Sequence, residues 1–190
     1  MGEIFEKGRK LIRWIVEPLA RRNVNPNILT IIGCIVTSGA GLLFACGWFR
    51  LAALVLLLGS IWDAIDGEVA RLENKVTKFG AYLDSVTDRI AEIAVFAGII
   101  YYYMGISKLF ATLSVVALCG GLLVSYTRAR AEGLGVTCKL GVGVRPLRIF
   151  LLIAGGVAKR PTFDYIIIGY ILVTYFTAGE RIAFTRRKLS

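Results

Sequence analysis

Four aspartates in two short segments are the residues of this chain best suited to chemistry. Asp63 and Asp66 lie near the end of one apolar run, and Asp84 and Asp88 lie near the start of the next. In a helix, at about 100° per residue, the two members of each pair lie about 60° and about 40° apart. The spacing therefore predicts that each pair shares one helix face and that the four carboxylates converge where the two helices meet.

A group of four carboxylates needs a cation, because like charges close together disfavour ionisation. Oxygen ligands suit hard divalent ions such as Mg²⁺, Mn²⁺ or Ca²⁺. The residues on the same helix faces are small, namely Gly67, Ala70 and Gly80, so a ligand or a facing helix can approach the backbone. The pattern indicates a divalent-metal site, and such sites commonly serve phosphate chemistry.

The composition predicts an integral membrane protein. Hydrophobic residues make up 56% of the 190 residues and the mean hydropathy is +0.68. The chain has no histidine, and its four cysteines have no CxxC spacing, which argues against a zinc site and against histidine catalysis. The net charge of +10 favours anionic partners, here a membrane surface and phosphates rather than nucleic acid.

The hydropathy pattern predicts an all-α fold with six transmembrane helices preceded by an amphipathic juxtamembrane helix. Residues 1–22 combine helically spaced apolar residues with lysines and arginines, as in helices that lie along a bilayer surface. Residues 23–190 form the predicted transmembrane domain, in which six segments approach the length needed to cross hydrocarbon. These segments are residues 28–47, 51–71, 80–104, 108–132, 145–158 and 163–184.

The distribution of basic residues predicts the orientation. If the N-terminus is cytoplasmic, the turns on the far side hold only Arg50, Lys108, Lys159 and Arg160 of the 23 lysines and arginines. The positive-inside rule then puts both termini and the acid cluster on the cytoplasmic side of the cell membrane.

Other ionisable residues in the spans have a simpler interpretation. Arg89, Glu92 and Arg148 are expected to form internal ion pairs, whereas an acid-only quartet is not explained by pairing.

The main alternative to an enzyme is a cation transporter, whose carboxylates usually lie near the membrane midplane and often at broken helices. A second alternative is a scaffold that keeps the fold without turnover.

The acid segments also carry a family resemblance. The spacing D-x2-D-G-x2-A-R-x8-G-x3-D-x3-D resembles the motif of the CDP-alcohol phosphotransferases and matches it at Asp63, Asp66, Gly67, Ala70, Arg71, Gly80, Asp84 and Asp88. The resemblance implies a transfer that depends on Mg²⁺ or Mn²⁺, with two ions. A hydroxyl attacks the β-phosphorus of a CDP-linked lipid and CMP leaves.

The resemblance also implies roles for individual residues. Asp63, Asp66, Asp84 and Asp88 would bind metal, and Asp88 would also take the proton of the attacking hydroxyl, since a base must reach that proton. The CDP-alcohol would be bound by Asn27, Thr30, Asp66, Gly67, Ala70, Arg71, Thr77 and Gly80. Members of the family are often homodimers, which we expect here too.

Two further segments point to the acceptor alcohol. S-Y-T-R-A-R-A-E at residues 125–132 and R-P-L-R at residues 145–148 resemble the branch of the family that uses inositol 1-phosphate. The acceptor phosphate would be bound by Arg128, Arg130, Arg145 and Arg181, because arginine binds phosphate in bidentate fashion. Glycerol 3-phosphate is the alternative acceptor, although that branch usually has proline where this chain has Ser85. The lipid is either diacylglycerol or archaeol.

Overall fold

The computed structural model describes residues 25–72, 77–138 and 140–189, and for residues 66–72 it describes the backbone alone. Within these ranges the regular structure is entirely helical. The helices are α1 (Pro26–Ala45), α2 (Phe49–Leu72), α3 (Lys78–Met104), α4 (Lys108–Gly133), α5 (Arg145–Ala158) and α6 (Thr162–Leu189). Each matches one predicted segment, although several ends differ by a few residues. The predicted juxtamembrane helix over residues 1–22 lies outside the described residues.

Local sequence signals explain where several helices begin. The Asn25 side chain accepts a hydrogen bond from the Asn27 backbone N–H at 3.0 Å and caps α1, and Pro26 follows it in the first turn. Thr77 caps α3 in the same way by accepting from the Gly80 N–H at 2.9 Å. Ser107 caps α4. These side chains satisfy amide groups that a helix start otherwise leaves unpaired.

Three helices are long and apolar enough to cross a bilayer, namely α1, α4 and α6, and they make the chain a membrane protein. The other three differ for identifiable reasons. α2 and α3 carry the charged residues of the acid segments within their apolar runs. α5 has only 14 residues and is therefore about 21 Å long, shorter than the roughly 30 Å hydrocarbon core.

The six described helices pack as a closed ring in the order α1, α2, α5, α6, α4, α3. The closest approach is between α1 and α3. A Cβ atom added at Gly41 would overlap the backbone carbonyl of Ala94, and one added at Gly98 would overlap that of Gly41. Glycine at both positions therefore lets the two backbones touch, as is common in helix packing within lipid. α3 and α5 are not neighbours in the ring, so side chains that join them cross its interior.

Aromatic side chains fill the end of the ring that lies away from the aspartates. Phe49 packs edge-to-face on Phe44, Tyr102 and Phe163, with ring centroids 5.4, 4.8 and 4.9 Å apart. Beside them the hydroxyl of Tyr103 donates to the buried carboxylate of Asp164, which also pairs with Arg160. We call this region the aromatic end and the opposite one the acid end.

Candidate active site

The structure brings three of the four predicted acids together at the acid end. Asp63 lies in the second half of α2, and Asp84 and Asp88 lie in the first turns of α3. One carboxylate oxygen from each lies within 4.8 Å of the others. Oxygens on one Mg²⁺ or Mn²⁺ ion lie up to about 4.2 Å apart, since each bond is about 2.1 Å long. The three side chains therefore fit a divalent ion after small rotations. The side chain of Asp66 lies outside the described residues.

Arg145 lies directly against these carboxylates. It is the first residue of α5, and its guanidinium forms ion pairs with Asp63 and, at 2.5 Å, with Asp88. The sequence predicted Arg145 as a ligand of the acceptor phosphate, but it contained no signal that the same side chain contacts two of the acids. One arginine therefore links α2, α3 and α5 at the acid end.

A cavity of about 710 Å³ opens beside the acids between α3, α4, α5 and α6. Its lining includes Asp84 and Asp88, and it also includes three of the four arginines predicted to bind phosphate, namely Arg128, Arg145 and Arg181. Arg130 is exposed on α4 and is not among the lining residues. The cavity thus combines the two aspartates of α3 with guanidinium groups from α4, α5 and α6.

The arginines of this cavity differ in which groups already pair with their guanidinium N–H donors. Arg128 is half-exposed and pairs with Glu132 one turn later on α4, at 2.8 Å. Arg181 is buried and donates to the backbone carbonyls of Leu140 at 2.9 Å and Val124 at 2.5 Å. Arg181 therefore ties the connection between α4 and α5 to the helices around it, in addition to facing the cavity.

The residues predicted to bind the CDP-alcohol lie on the α1 side of the acids. A Cβ atom added at Gly80 would lie 3.1 Å from Thr77 Oγ1 and 3.4 Å from Asn27 Oδ1, so these three residues are adjacent. Thr30 lines a small crevice together with Asp63. The remaining predicted residues, Asp66, Gly67, Ala70 and Arg71, fall in the stretch of α2 for which the backbone alone is described.

A buried polar cluster lies one helical turn below the acids. The expected ion pairs are confirmed: Glu92 pairs with Arg148 at 2.6 Å and with Arg89 at 3.3 Å. Two members of the cluster were not anticipated. The Tyr170 hydroxyl donates to Glu92 at 2.8 Å, and Arg148 also donates to the carbonyl of Gly121 at 2.7 Å. Both lie in apolar runs, where a single tyrosine or glycine gives no signal of its partner.

The chain matches a known family over most of its length. The model of the CDP-alcohol phosphatidyltransferase family matches residues 23–183. The archaetidylinositol phosphate synthase of Methanothermobacter thermautotrophicus is 36% identical over 186 residues, which cover 95% of this chain and 93% of that protein. The phosphatidylinositol phosphate synthase of Corynebacterium glutamicum is 38% identical over 157 residues, covering 78% and 71% of the two chains.

The fold is also similar to solved structures. The phosphatidylinositol phosphate synthase of Mycobacterium tuberculosis with CDP-DAG bound superposes with a TM-score of 0.85 at 26% identity, covering 93% of this chain and 94% of that one. A second structure of that enzyme, in complex with manganese and citrate, gives a TM-score of 0.83 at 26% identity and covers 92% and 88% of the two chains. Sequence motif, fold and acid cluster agree, and this chain belongs to the CDP-alcohol phosphatidyltransferase family.

Proposed function

We propose that this protein transfers the phosphatidyl-type group of a CDP-lipid to a hydroxyl of inositol 1-phosphate and releases CMP. The observation that carries the proposal is a cluster of three converging aspartates, two of which, Asp84 and Asp88, line one cavity together with Arg128, Arg145 and Arg181. Carboxylates suit a metal and a CDP-linked donor, whereas the arginines suit an acceptor that itself carries a phosphate. The relatives named as inositol phosphate synthases support the same acceptor.

The same relatives give two candidates for the donor lipid. One relative is named for an archaetidyl product, and a structural neighbour binds CDP-DAG, so CDP-diacylglycerol and CDP-archaeol are both substrates to test. We assign its cytidine and pyrophosphate to the α1 side of the acids, where Asn27, Thr30, Thr77 and Gly80 lie. Asp66, Gly67, Ala70 and Arg71 would complete that subsite, as the motif implies.

The aspartates would hold two divalent ions, Mg²⁺ or Mn²⁺, and manganese in a structural neighbour supports an ion of this class. When bound, such ions offset negative charge on the phosphate oxygens during transfer. Asp63 and Asp84 would serve only as metal ligands, and Asp66 would bind both metal and the CDP-alcohol. Asp88 would in addition face the acceptor, because it is the cavity-lining aspartate that pairs with Arg145, a proposed ligand of the acceptor phosphate.

The chain's own residues divide the remaining work. Arg145 and Arg128, with Arg130 and Arg181 around them, would hold the acceptor phosphate and so aim a hydroxyl at the β-phosphorus of the CDP-lipid. A bond forms between that hydroxyl oxygen and the β-phosphorus, and the bond from the β-phosphorus to the CMP oxygen breaks. Asp88 takes the hydroxyl proton as this happens.

We further propose that all six helices span the membrane, with residues 1–22 as a juxtamembrane helix and residues 23–190 as one transmembrane domain. The short helix α5 would then start below the membrane surface, which puts Arg145 at the depth of the aspartates. Both termini and the acid end would be cytoplasmic, where CDP-lipid and a phosphorylated polyol meet. The working unit would be a homodimer.

The acceptor is tested with purified protein, Mn²⁺ or Mg²⁺ and labelled CDP-diacylglycerol or CDP-archaeol. We expect CMP release with inositol 1-phosphate, less with glycerol 3-phosphate, and least with free inositol, which lacks the phosphate that the arginines would bind. A preference for glycerol 3-phosphate would make the protein a phosphatidylglycerophosphate synthase. Absence of CMP release with every acceptor, together with metal flux into vesicles, would show a cation transporter instead.

The role of Asp88 is tested by Asp88→Asn, which keeps the shape of the side chain but removes the base. We expect kcat to fall by about 100-fold or more, because general-base catalysis typically contributes 10²–10⁴-fold. Gel filtration and thermal unfolding should match the unmodified protein. Glu180→Gln, which neutralises an exposed acid on α6, serves as the control. Full activity of the Asp88→Asn protein would refute the assignment.

A further inference from the structure

Two ion pairs join α3 to α5 across the interior of the helix ring. The outer pair is Asp88 with Arg145 at 2.5 Å, and the inner pair is Glu92 with Arg148 at 2.6 Å. Residues three or four apart on a helix are about one turn apart on the same face. The inner pair therefore lies one turn deeper than the outer pair, between the same two helices.

The two pairs differ in what surrounds them. The side chains of the outer pair line the cavity, and Arg145 is 27% exposed. In the inner pair Glu92 is not among the cavity-lining residues, and Arg148 borders the cavity but is only 3% exposed and also donates to the carbonyl of Gly121 on α4 at 2.7 Å. Tyr170 of α6 donates to the same Glu92 oxygen at 2.8 Å. The outer pair is therefore accessible to substrates, whereas the inner pair is held by two further helices.

Gly121 makes room for the inner pair. A Cβ atom added there would lie 2.7 Å from Arg148 Nη1 and 2.7 Å from Tyr170 Oη, and it would overlap Glu92 Oε1. These three contacts are too close for a carbon atom, because the three polar groups are already hydrogen-bonded within the cluster. The residue at this position of α4 is thus compatible with the polar cluster only because it lacks a side chain.

Stability alone does not account for this cluster. Buried ion pairs contribute little net stability compared with apolar residues of the same volume, and charges within membrane spans are costly. Arg89 Nε and Glu92 Oε2 contact each other only as an ion pair at 3.3 Å, and Arg148 Nε is buried without a hydrogen-bond partner among the residues that the structure describes. A buried charged cluster that still leaves a guanidinium N–H unsatisfied indicates a function other than holding the helices together.

The chemistry proposed above requires the outer pair to open. Arg145 contacts Asp63 and Asp88, yet those carboxylates are also the proposed metal ligands and Asp88 is the proposed base. Arg145 must therefore exchange at least one carboxylate for the acceptor phosphate. While it does so, the inner pair is the ion pair that still connects α3 and α5 within the described part of the chain.

We propose that Glu92, Arg148 and Tyr170 are positioning residues, which hold α5 at a fixed distance from α3 so that Arg145 reaches the acceptor phosphate after it releases Asp88. The inference rests on the proposed function and extends it to residues outside the aspartate motif. It has a specific consequence. Loosening the inner pair weakens the site for the acceptor, whereas the subsite for the CDP-lipid, which lies on the α1 side, keeps its affinity.

The test uses Tyr170→Phe and Glu92→Gln in the full-length protein. KM for inositol 1-phosphate, KM for CDP-diacylglycerol and kcat are measured by CMP release. A hydrogen bond to a charged group contributes about tenfold or more to an equilibrium, so we expect the acceptor KM to rise about tenfold in Tyr170→Phe and further in Glu92→Gln. The KM for the CDP-lipid should stay within about twofold of the unmodified value.

Tyr103→Phe is the matched structural control. It also removes a buried hydrogen bond from tyrosine to a carboxylate, that of Asp164, but at the aromatic end. It should lower the unfolding temperature by an amount similar to Tyr170→Phe and leave the acceptor KM unchanged. Tyr165→Phe, at a side chain that is 71% exposed on α6, should change neither quantity.

A second measurement does not depend on turnover. Addition of inositol 1-phosphate alone should raise the unfolding temperature of the unmodified and Tyr103→Phe proteins, and should do so less for Tyr170→Phe. The inference is wrong if Tyr170→Phe and Glu92→Gln leave the acceptor KM unchanged, or raise both KM values in parallel. Failure of the unmodified protein to release CMP with any acceptor would instead refute the proposed function.

Discussion

At the scale of single residues, Arg145 is the most unusual feature of the site. Its guanidinium pairs with Asp63 and Asp88 at once, and its side chain also lines the arginine-rich cavity. A cation bound by the aspartates and the Arg145 guanidinium would both interact with the carboxylates of Asp63 and Asp88. The two positive charges therefore compete, and this competition gives Arg145 a measurable influence on metal affinity.

Replacing Arg145 with glutamine should strengthen binding of Mn²⁺ and weaken binding of the acceptor. Removing a partly exposed ion pair changes affinity by up to about 1 kcal/mol, or about fivefold. We therefore expect the Kd for Mn²⁺, measured from the electron paramagnetic resonance signal of the free ion, to fall by up to about fivefold. The KM for inositol 1-phosphate should rise far more than the KM for the CDP-lipid.

Arg128→Gln is the control for the metal measurement. Arg128 lines the same cavity but pairs with Glu132 rather than with the aspartates, so its loss should leave the Kd for Mn²⁺ nearly unchanged. Weaker Mn²⁺ binding in Arg145→Gln than in the unmodified protein would show that the guanidinium orders the aspartates instead of competing for them.

The sequence predicted the acids of this site better than their partners. Asp63, Asp84 and Asp88 could be found because their spacing along each helix determines the face they share. The partnership of Glu92 with Tyr170 could not, since the two residues are 78 positions apart and depend on how α3 and α6 pack. The aspartate of the aromatic end was missed although Arg160 and Asp164 have the spacing of a helical ion pair.

At the scale of helices, the packing of α1 on α3 determines where Asp84 and Asp88 lie. The two helices touch at Gly41 and Gly98, where each backbone takes the space that a side chain would fill. Because Asp88 lies on α3 and two of the predicted nucleotide residues, Asn27 and Thr30, lie near the start of α1, this contact also sets the distance between the acids and that part of the nucleotide subsite.

Gly41→Ala should destabilise the protein, because the added methyl group would overlap the carbonyl of Ala94 on α3. Inserting a methyl group into a packed interface typically costs about 1–3 kcal/mol, and backbone atoms yield less readily than side chains. We expect a lower unfolding temperature in detergent and a lower kcat. Gly39→Ala, two residues away on the same helix with no atom near the added carbon, is the control and should be neutral or stabilising.

If Gly41→Ala unfolds at the same temperature as Gly39→Ala, the two helices do not pack at this glycine.

Hydropathy alone did predict the order and type of the helices, since each described helix coincides with an apolar segment. It did not predict how closely α1 and α3 approach each other, because the sequence does not show whether a glycine of a membrane helix faces lipid or another backbone. It also ended the last segment at residue 184, whereas α6 continues to Leu189, because a helix need not stop where the membrane does.

At the scale of the whole molecule, the two ends of the ring are chemically different. The acid end holds the aspartates, the arginine-rich cavity and the basic last turn of α6 with Arg187 and Lys188. The aromatic end holds stacked rings and few charges, with Arg160 neutralised by Asp164. An excess of lysine and arginine marks the cytoplasmic side of membrane proteins, so we expect the acid end to face the cytoplasm.

This orientation is tested with single cysteines in a variant whose four native cysteines are replaced. Thr162→Cys puts a thiol at the exposed start of α6, at the aromatic end, and Lys188→Cys puts one at its exposed last turn. A maleimide that does not cross membranes should label Thr162→Cys in intact cells and Lys188→Cys only after the membrane is opened. Both variants should retain CMP release, because neither side chain lines the cavity. Labelling in the opposite order would place the aspartates on the outer side, where no cytoplasmic CDP-lipid or phosphorylated polyol could reach them, and would refute the proposed orientation.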